Sequence, residues 1–190
     1  MRMQQLLDAL RSVVAQDLSD PQPIIRLFLT RNISGGWESW LQVSCAAALI
    51  YANLAADFLR EVEYPREAVG GNARLPICDL WAKPTRGTEI WIELKTQRNS
   101  NYTQTINDFM RDIAKITALS QSWRQSNVTA AVALLILTQN DRKTLNDLRT
   151  QIRSGTLSYV LYINGEWRDF TQNILNAPTE YFTMIAFAPT

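Results

Sequence analysis

A continuous run of aliphatic and β-branched side chains over residues 129–138 constrains the fold most strongly. Such a run is typical of a strand buried on both faces, because successive side chains of a strand point to opposite faces. Helices cover both faces of such strands in α/β proteins, so this is the class we expect. The run is too short to span a bilayer, and the chain start has no apolar signal segment. We therefore expect a cytoplasmic protein that makes no membrane contact.

Helix and strand patterns precede this run. Residues 37–60 are Ala-rich and predict one long helix, and residues 60–64 alternate as in a short strand. Residues 75–81 and 89–96 predict two strands, which the turn residues between them join as a hairpin. In residues 102–120 the apolar positions recur at intervals of four and three, which predicts an amphipathic helix. The order of these elements is helix, three strands, helix and strand.

Further elements are predicted at both ends of the chain. Residues 1–34 are predicted as a helical extension, with helices at about 3–18 and 24–29, and offer a surface for a second copy or another protein. Residues 35–140 form the expected core of a single domain over 1–190. Residues 141–190 are expected to add a polar helix (141–153), a hairpin around Asn164-Gly165 and a last strand (180–188), because Asn-Gly between alternating strands favours a type I′ turn.

The chain contains no histidine, which excludes several kinds of chemistry. Catalytic triads that use a histidine base, and zinc or haem sites ligated by histidine, are not available. Both cysteines, Cys45 and Cys78, have apolar neighbours, so we interpret them as buried, inert thiols. With 19 basic and 18 acidic residues the formal charge is only +1, so any basic surface is local. Carboxylates and lysines remain, a set that favours hard cations such as Mg²⁺.

The predicted hairpin of residues 75–81 and 89–96 brings such groups together. A turn centred near residues 85–86 places Asp79 opposite Ile92 or Glu93, about 5 Å away. Glu93 and Lys95 are two residues apart, so they share one face of the strand. Ile92 and Leu94 point to the opposite face, towards the core. Two carboxylates this close repel each other unless a cation neutralises them. We therefore expect Mg²⁺, or Mn²⁺ in its place, on Asp79, Glu93 and the backbone carbonyl of Leu94.

In this pattern the chain resembles the PD-(D/E)xK nuclease superfamily, which has the restriction-endonuclease-like fold. Asp79 in PICDLW with Glu93 and Lys95 in IWIELK correspond to the motif, and the α-β-β-β-α-β order of elements is similar to the family's core. The resemblance implies a mixed sheet flanked by helices, a metal on the two acids and a lysine that positions the attacking water. It also implies a further acid on the first core helix, a place that Glu38 occupies. Gln97 extends the motif to E-x-K-x-Q, as in several member families.

Other polar residues are candidate substrate contacts. Gln97 follows the motif, and Lys83 and Arg86 lie at the predicted hairpin tip, where they suit either a phosphate or the protection of a sheet edge. Arg111 and Lys115 lie on the polar side of the second core helix. Their spacing suits solvated ion pairs with nearby acids, and the alternative is that one of them reaches a phosphate or the acidic cluster.

Three functions are compatible with these patterns. The leading hypothesis is a magnesium-dependent enzyme that hydrolyses phosphodiester bonds of nucleic acid, with DNA as the expected substrate. The second is a nuclease-like binding protein without catalysis, such as an immunity or defence-system partner, because a fold does not fix a function. The third is an unrelated α/β domain in which the motif occurs by chance. The family's proline before the aspartate is replaced here by Cys78, and the near-neutral charge is unlike that of a tight duplex binder.

Overall fold

The computed structural model describes residues 3–17, 20–21, 37–66, 75–84, 89–96, 102–122, 128–137, 157–163, 166–169 and 183–189. Over these ranges the chain forms helices α1 (Met3–Val14), α2 (Trp37–Tyr51) and α3 (Tyr102–Ser122), and strands β1 (Ala15–Asp17), β2 (Asp20–Pro21), β3 (Ala55–Glu63), β4 (Ile77–Pro84), β5 (Glu89–Thr96), β6 (Val128–Leu137), β7 (Leu157–Ile163), β8 (Glu166–Asp169) and β9 (Thr183–Pro189). The chain is an α/β protein, as the sequence predicted.

Seven of these strands form one mixed sheet in the order β3-β4-β5-β6-β9-β7-β8. Strands β5 and β6 are parallel and the other neighbours are antiparallel, while β1 and β2 pair separately. The aliphatic strand β6 lies in the middle of the sheet, and the side chains of residues 131–134 are fully buried. The prediction that this run is a strand with both faces covered is therefore confirmed. The C-terminal strands continue the same sheet instead of forming a separate layer.

Helices α1 and α2 pack on the sheet through one hydrophobic core. Leu6 and Leu10 of α1 and Leu41 of α2 are fully buried there with Ile92 and Leu94 of β5. Helix α3 packs against β5, β6 and β9 with its own buried apolar side chains: Ile106, Phe109, Ile113 and Ile116. These four side chains are the positions that the four-and-three spacing predicted. Alternate residues of β5 thus contact the helices on opposite faces of the sheet, because successive side chains of a strand point to opposite faces.

The prediction of one helix over residues 37–60 is wrong. Helix α2 ends at Tyr51, and the strand β3 begins four residues later. Asn53 adopts a left-handed conformation (φ 56°), the Leu54 N–H donates to Leu49 O (2.8 Å) and the Asn53 N–H donates to Ile50 O (2.9 Å). These two bonds form a Schellman motif, which closes a helix on a left-handed residue, usually glycine and sometimes asparagine. The predicted strand at 60–64 is the second half of the longer strand β3.

The remaining element predictions have mixed outcomes. The first helix ends at Val14 instead of residue 18, and the short β1–β2 pair follows it. The chain's first helix belongs to the main core, so residues 1–34 are not a purely helical appendage. The pairing of Ile163 with Glu166 confirms the predicted tight hairpin. The predicted helices at 24–29 and 141–153 lie outside the described residues. None of the described helices is long and apolar enough to cross a membrane.

Strand β3 is the edge of the sheet next to β4, and it is irregular in two places. Its register shifts between Ala55 and Asp57, and Glu61 has a left-handed backbone (φ 55°) in mid-strand. A residue with a Cβ in this conformation costs about 1–2 kcal/mol relative to the right-handed region. The irregular edge lies beside the part of β4 that carries Asp79.

Candidate functional site

The predicted hairpin forms, and it determines the position of Asp79. The β4–β5 ladder pairs Leu80 with Ile92, Trp81 with Trp91 and Ala82 with Ile90. Beyond the last of these pairs, the Asp79 side chain bonds to β5, because its Oδ2 accepts the Leu94 N–H at 2.7 Å. This register agrees with the predicted pairing of the two strands and brings Asp79 to the strand that carries the two other motif residues.

A second set of contacts fixes Asp79 from helix α2. Gln42 Nε2 donates to Asp79 Oδ1 at 3.3 Å, and Arg60 Nε donates to Gln42 Oε1 at 2.7 Å. Gln42 is buried and uses its amide as both donor and acceptor, so its orientation is determined. Asp79 is thus held by a backbone amide on one oxygen and by an amide side chain on the other. The sequence analysis missed Gln42, since a single glutamine in an Ala-rich, apolar helix carries no distinctive signal.

Glu93 is buried, with a side chain only 2% exposed. Its Oε1 accepts the Tyr64 hydroxyl at 2.7 Å and the Lys115 ammonium at 3.1 Å. The Tyr64 ring stacks on Trp91 (centroids 5.2 Å apart, planes at 19°), which orients the hydroxyl towards Glu93. Burial, together with the negative charges of Asp112 and Asp79, raises the pKa of Glu93 to about 8. The Lys115 ammonium and the Tyr64 hydroxyl offset part of this rise in the pKa of Glu93.

Lys95 bridges the helices on the two faces of the sheet. Its Nζ lies 3.4 Å from Glu38 Oε1, in the first turn of α2, and 3.7 Å from Asp112 Oδ2 of α3. Burial by itself lowers the pKa of Lys95, but the charges of Asp112, Glu38 and Asp79 outweigh that effect and raise it. Lys95 is thus a permanent ammonium ion that can donate hydrogen bonds and stabilise negative charge.

Asp112 is the acidic residue that the sequence analysis did not select. It lies on α3 with a side chain only 6% exposed, and its Oδ1 accepts Lys115 Nζ at 2.7 Å. Burial raises the pKa of Asp112, and the neighbouring ammonium groups of Lys95 and Lys115 offset part of that rise. Among the described residues its Oδ2 has no hydrogen-bond partner. Asp112 therefore joins the two lysines of the cluster instead of lying on a solvated helix face.

The residues predicted as substrate contacts do not all belong to the cluster. Lys115 reaches Glu93, which is the alternative that the sequence analysis left open. Arg111 is 72% exposed and pairs with Asp108 at 2.8 Å. Lys83 is exposed on β4, where it lies opposite Asp57 in the backbone register of the edge strand. Gln97 and Arg86 lie outside the described residues.

The thiols are inert, as expected. Cys45 and Cys78 are both free and buried. Burial raises the pKa of the Cys45 thiol to about 12 and raises that of Cys78 as well. Cys78 Sγ donates to the carbonyl oxygens of Leu80 (3.4 Å) and Ile92 (3.3 Å), so it packs the hairpin beside Asp79. Neither thiol is a nucleophile at neutral pH.

The donor chemistry of the cluster suits a hard divalent cation. Four carboxylates (Glu38, Asp79, Glu93 and Asp112) surround two ammonium groups (Lys95 and Lys115), so the acids outnumber the cations. Magnesium is usually held by one or two carboxylates and several water molecules. Within the described residues, however, no three acidic or cysteine side chains converge on one point that would hold a metal ion. Full coordination by three side chains would require these side chains to move.

Comparison of the chain with family models, with curated proteins and with solved structures gave no match. The resemblance to the PD-(D/E)xK superfamily therefore rests on the motif residues and on the order of elements.

Proposed function

We propose that the chain is a metal-dependent nuclease of the restriction-endonuclease-like kind, which hydrolyses phosphodiester bonds of nucleic acid, with DNA as the first substrate to test. The observation that carries the proposal is the network around the β4–β5 hairpin. Asp79 bonds to the backbone of β5, and the acid and the lysine of the E-x-K motif follow on that strand. Glu38 of α2, which the resemblance gives as a further acid, lies 3.4 Å from Lys95 Nζ through its Oε1 atom.

Each motif residue has a role in this proposal. Asp79 and Glu93 would hold Mg²⁺, with Glu38 as a further acid and the Leu94 carbonyl as a backbone ligand. A bound metal lowers the pKa of a coordinated water molecule and stabilises charge on a phosphoryl oxygen. Tyr64 fixes one oxygen of Glu93, and the Asp79 carboxylate is fixed by Leu94 N–H. The acids are therefore presented on strands, which position side chains more accurately than loops do.

The charge of Lys95 limits what this residue can do. Because the surrounding acids raise its pKa, Lys95 stays protonated and is a poor proton acceptor. It is suited to orient the attacking water by hydrogen bonding and to stabilise the charge that develops on the phosphoryl oxygens. Loss of a single preorganised donor of this kind lowers kcat by roughly 10²–10³-fold in other enzymes. We expect a similar loss here.

The test is a cleavage assay with four substrates: supercoiled plasmid, linear duplex DNA, single-stranded DNA and RNA, each with Mg²⁺, with Mn²⁺ and with a chelator. Wild type is expected to cleave at least one substrate only when a metal is present. Asp79→Ala and Lys95→Ala, each verified as folded by circular dichroism, should lose roughly 10²-fold or more of the rate. Glu63→Ala removes an exposed acid of β3 and serves as the matched control with the wild-type rate. Unchanged cleavage by Lys95→Ala would exclude the role given to this lysine.

One observation favours the second candidate, a nuclease-like binding protein. Both lysines of the cluster are engaged by its own acids, and the formal charge of the whole chain is only +1. A chain of this charge has no bulk electrostatic attraction for a nucleic-acid backbone. If folded wild type cleaves none of the four substrates with either metal, this candidate takes precedence, and affinity for a protein partner becomes the next measurement.

A further inference from the structure

One ammonium group in the cluster bridges two buried carboxylates. Lys115 Nζ lies 3.1 Å from Glu93 Oε1 and 2.7 Å from Asp112 Oδ1. The two acids are only 2% and 6% exposed, whereas Lys115 is 28% exposed. Two ionised carboxylates at this depth repel each other unless a cation lies between them. The Lys115 ammonium is the group that supplies the compensating charge.

The same arrangement suits a divalent cation. Both carboxylate oxygens lie within hydrogen-bonding distance of one nitrogen atom, so they already face a common point. Two carboxylates and several water molecules are a usual set for Mg²⁺. A second, independent observation concerns Asp112, which is 4% exposed as a residue and whose Oδ2 is buried with no hydrogen-bond partner in the described part of the chain. That oxygen points into the cluster, 3.7 Å from Lys95 Nζ.

We propose that Glu93 and Asp112 form a divalent-cation site, and that the Lys115 ammonium holds this place until the cation displaces it. The proposal rests on the metal requirement of the proposed function and adds Asp112 and Lys115 to it. Lys115 has a path outwards, because its side chain is partly exposed and its ammonium is stabilised by water when it leaves. The lysine is thus an internal competitor of the metal.

Competition has a measurable consequence. In wild type the cation must break two charged hydrogen bonds of Lys115 before it binds, whereas in Lys115→Met it meets no such contact. We expect Lys115→Met to bind Mg²⁺ about tenfold more tightly than wild type. Isothermal titration calorimetry of wild type and Lys115→Met in the same buffer and at the same pH measures both affinities.

Matched variants test whether the gain belongs to this site. Lys115→Arg keeps a cation in place and should bind Mg²⁺ no more tightly than wild type. In the Lys115→Met background, Asp112→Asn should abolish the gain. Asp108→Asn, one turn earlier on α3 and 33% exposed at its side chain, should preserve it. Arg66→Met removes an exposed positive charge elsewhere and should leave the affinity at the wild-type value.

Thermal unfolding gives a second readout that does not depend on activity. A ligand that binds only the folded chain raises Tm according to its concentration and affinity. Mg²⁺ should therefore raise the Tm of Lys115→Met more than that of wild type. Lys115→Gln, which retains hydrogen-bond donors without the charge, replaces the methionine variant in both measurements if the latter does not fold.

The outcomes separate this inference from the proposed function. Tighter Mg²⁺ binding by Lys115→Met, lost again with Asp112→Asn, would support the inference even if wild type cleaves no nucleic acid. Equal or weaker binding by the uncharged Lys115 variants would overturn it, even if wild type is an active nuclease. Absence of Mg²⁺ binding in wild type and in every variant would overturn it as well.

Discussion

Replacing Glu93 with glutamine should stabilise the chain, and increasingly so as the pH rises. Burial first, and then the charges of Asp112 and Asp79, raise the pKa of Glu93 from its ordinary value of 4.5 to about 8. Between these two values the unfolded chain has released this proton while the folded chain retains it. Because the folded state then binds more protons, its stability falls as the pH rises through this window. Glutamine resembles the protonated carboxyl group and has no proton to lose.

The expected size follows from the pKa difference. Each pKa unit corresponds to 1.36 kcal/mol, so the shift from 4.5 to about 8 is equivalent to about 5 kcal/mol. The Glu93 side chain is only 2% exposed, and solvent therefore screens little of this effect. Glu93→Gln and wild type should have similar free energies of unfolding at pH 4. The variant should gain stability between about pH 4.5 and 8, and the difference should level off above that window.

Urea denaturation from pH 4 to pH 9 in a metal-free buffer measures this difference. Glu63→Gln is the control, because Glu63 is exposed on β3 and such surface substitutions change stability by less than about 0.5 kcal/mol. A stability difference between Glu93→Gln and wild type that stays constant with pH would refute the reasoning. A difference that decreases as the pH rises would refute it too, because Glu93 would then be favoured as a carboxylate in the folded chain.

Three further predictions concern stability and are checked by urea denaturation. Glu61→Gly should stabilise the chain by about 0.5–1 kcal/mol, because glycine relieves the left-handed backbone, whereas Glu63→Gly on the same strand should destabilise it. Tyr64→Phe should cost about 1–3 kcal/mol, since it removes the buried hydrogen bond to Glu93, while Tyr51→Phe, 90% exposed, should have no effect. Phe109→Ala should cost about 3–5 kcal/mol through the cavity it leaves, and Tyr51→Ala should cost far less. Equal effects of a variant and its control would contradict each prediction.

The sequence predicted those elements whose pattern depends on burial alone. The run at 129–138 is aliphatic because both faces of β6 are covered, and the apolar positions of α3 recur because one side of that helix faces the sheet. The β4–β5 hairpin was predictable for a related reason. Alternation determines which face each residue joins, and a turn centre determines which residues pair. Together these two constraints predict that Asp79 lies beside β5.

The end of α2 was not predictable in the same way. Residues 52–60 include three alanines and two leucines, which are good helix formers, so local propensity favours a continued helix. The chain instead turns at Asn53 and pairs residues 55–63 with β4. This pairing involves residues about 20 positions later, and a non-local contact of this kind outweighs a propensity of a few tenths of a kcal/mol per residue. The one sequence signal for the end of the helix is Asn53. Asparagine ends helices less often than glycine does, so this signal is weak.

The acidic cluster includes residues that do not belong to the sequence motif, and Asp112 is one of them. Asp112 and Lys115 are three residues apart on a helix, a spacing that most often marks a solvated ion pair. The sequence contains no sign that this side of α3 meets the end of β5, because helical periodicity does not determine which element a polar helix face contacts. Once the two elements pack, the E-x-K strand brings one acid and one ammonium, and α3 brings the opposite pair. Each strand charge therefore meets its counter-charge on the helix, in addition to the ion pair between Asp112 and Lys115 within α3. Helix α3 therefore contributes both a carboxylate and an ammonium group to the surroundings of the motif residues, although none of its residues belongs to the motif.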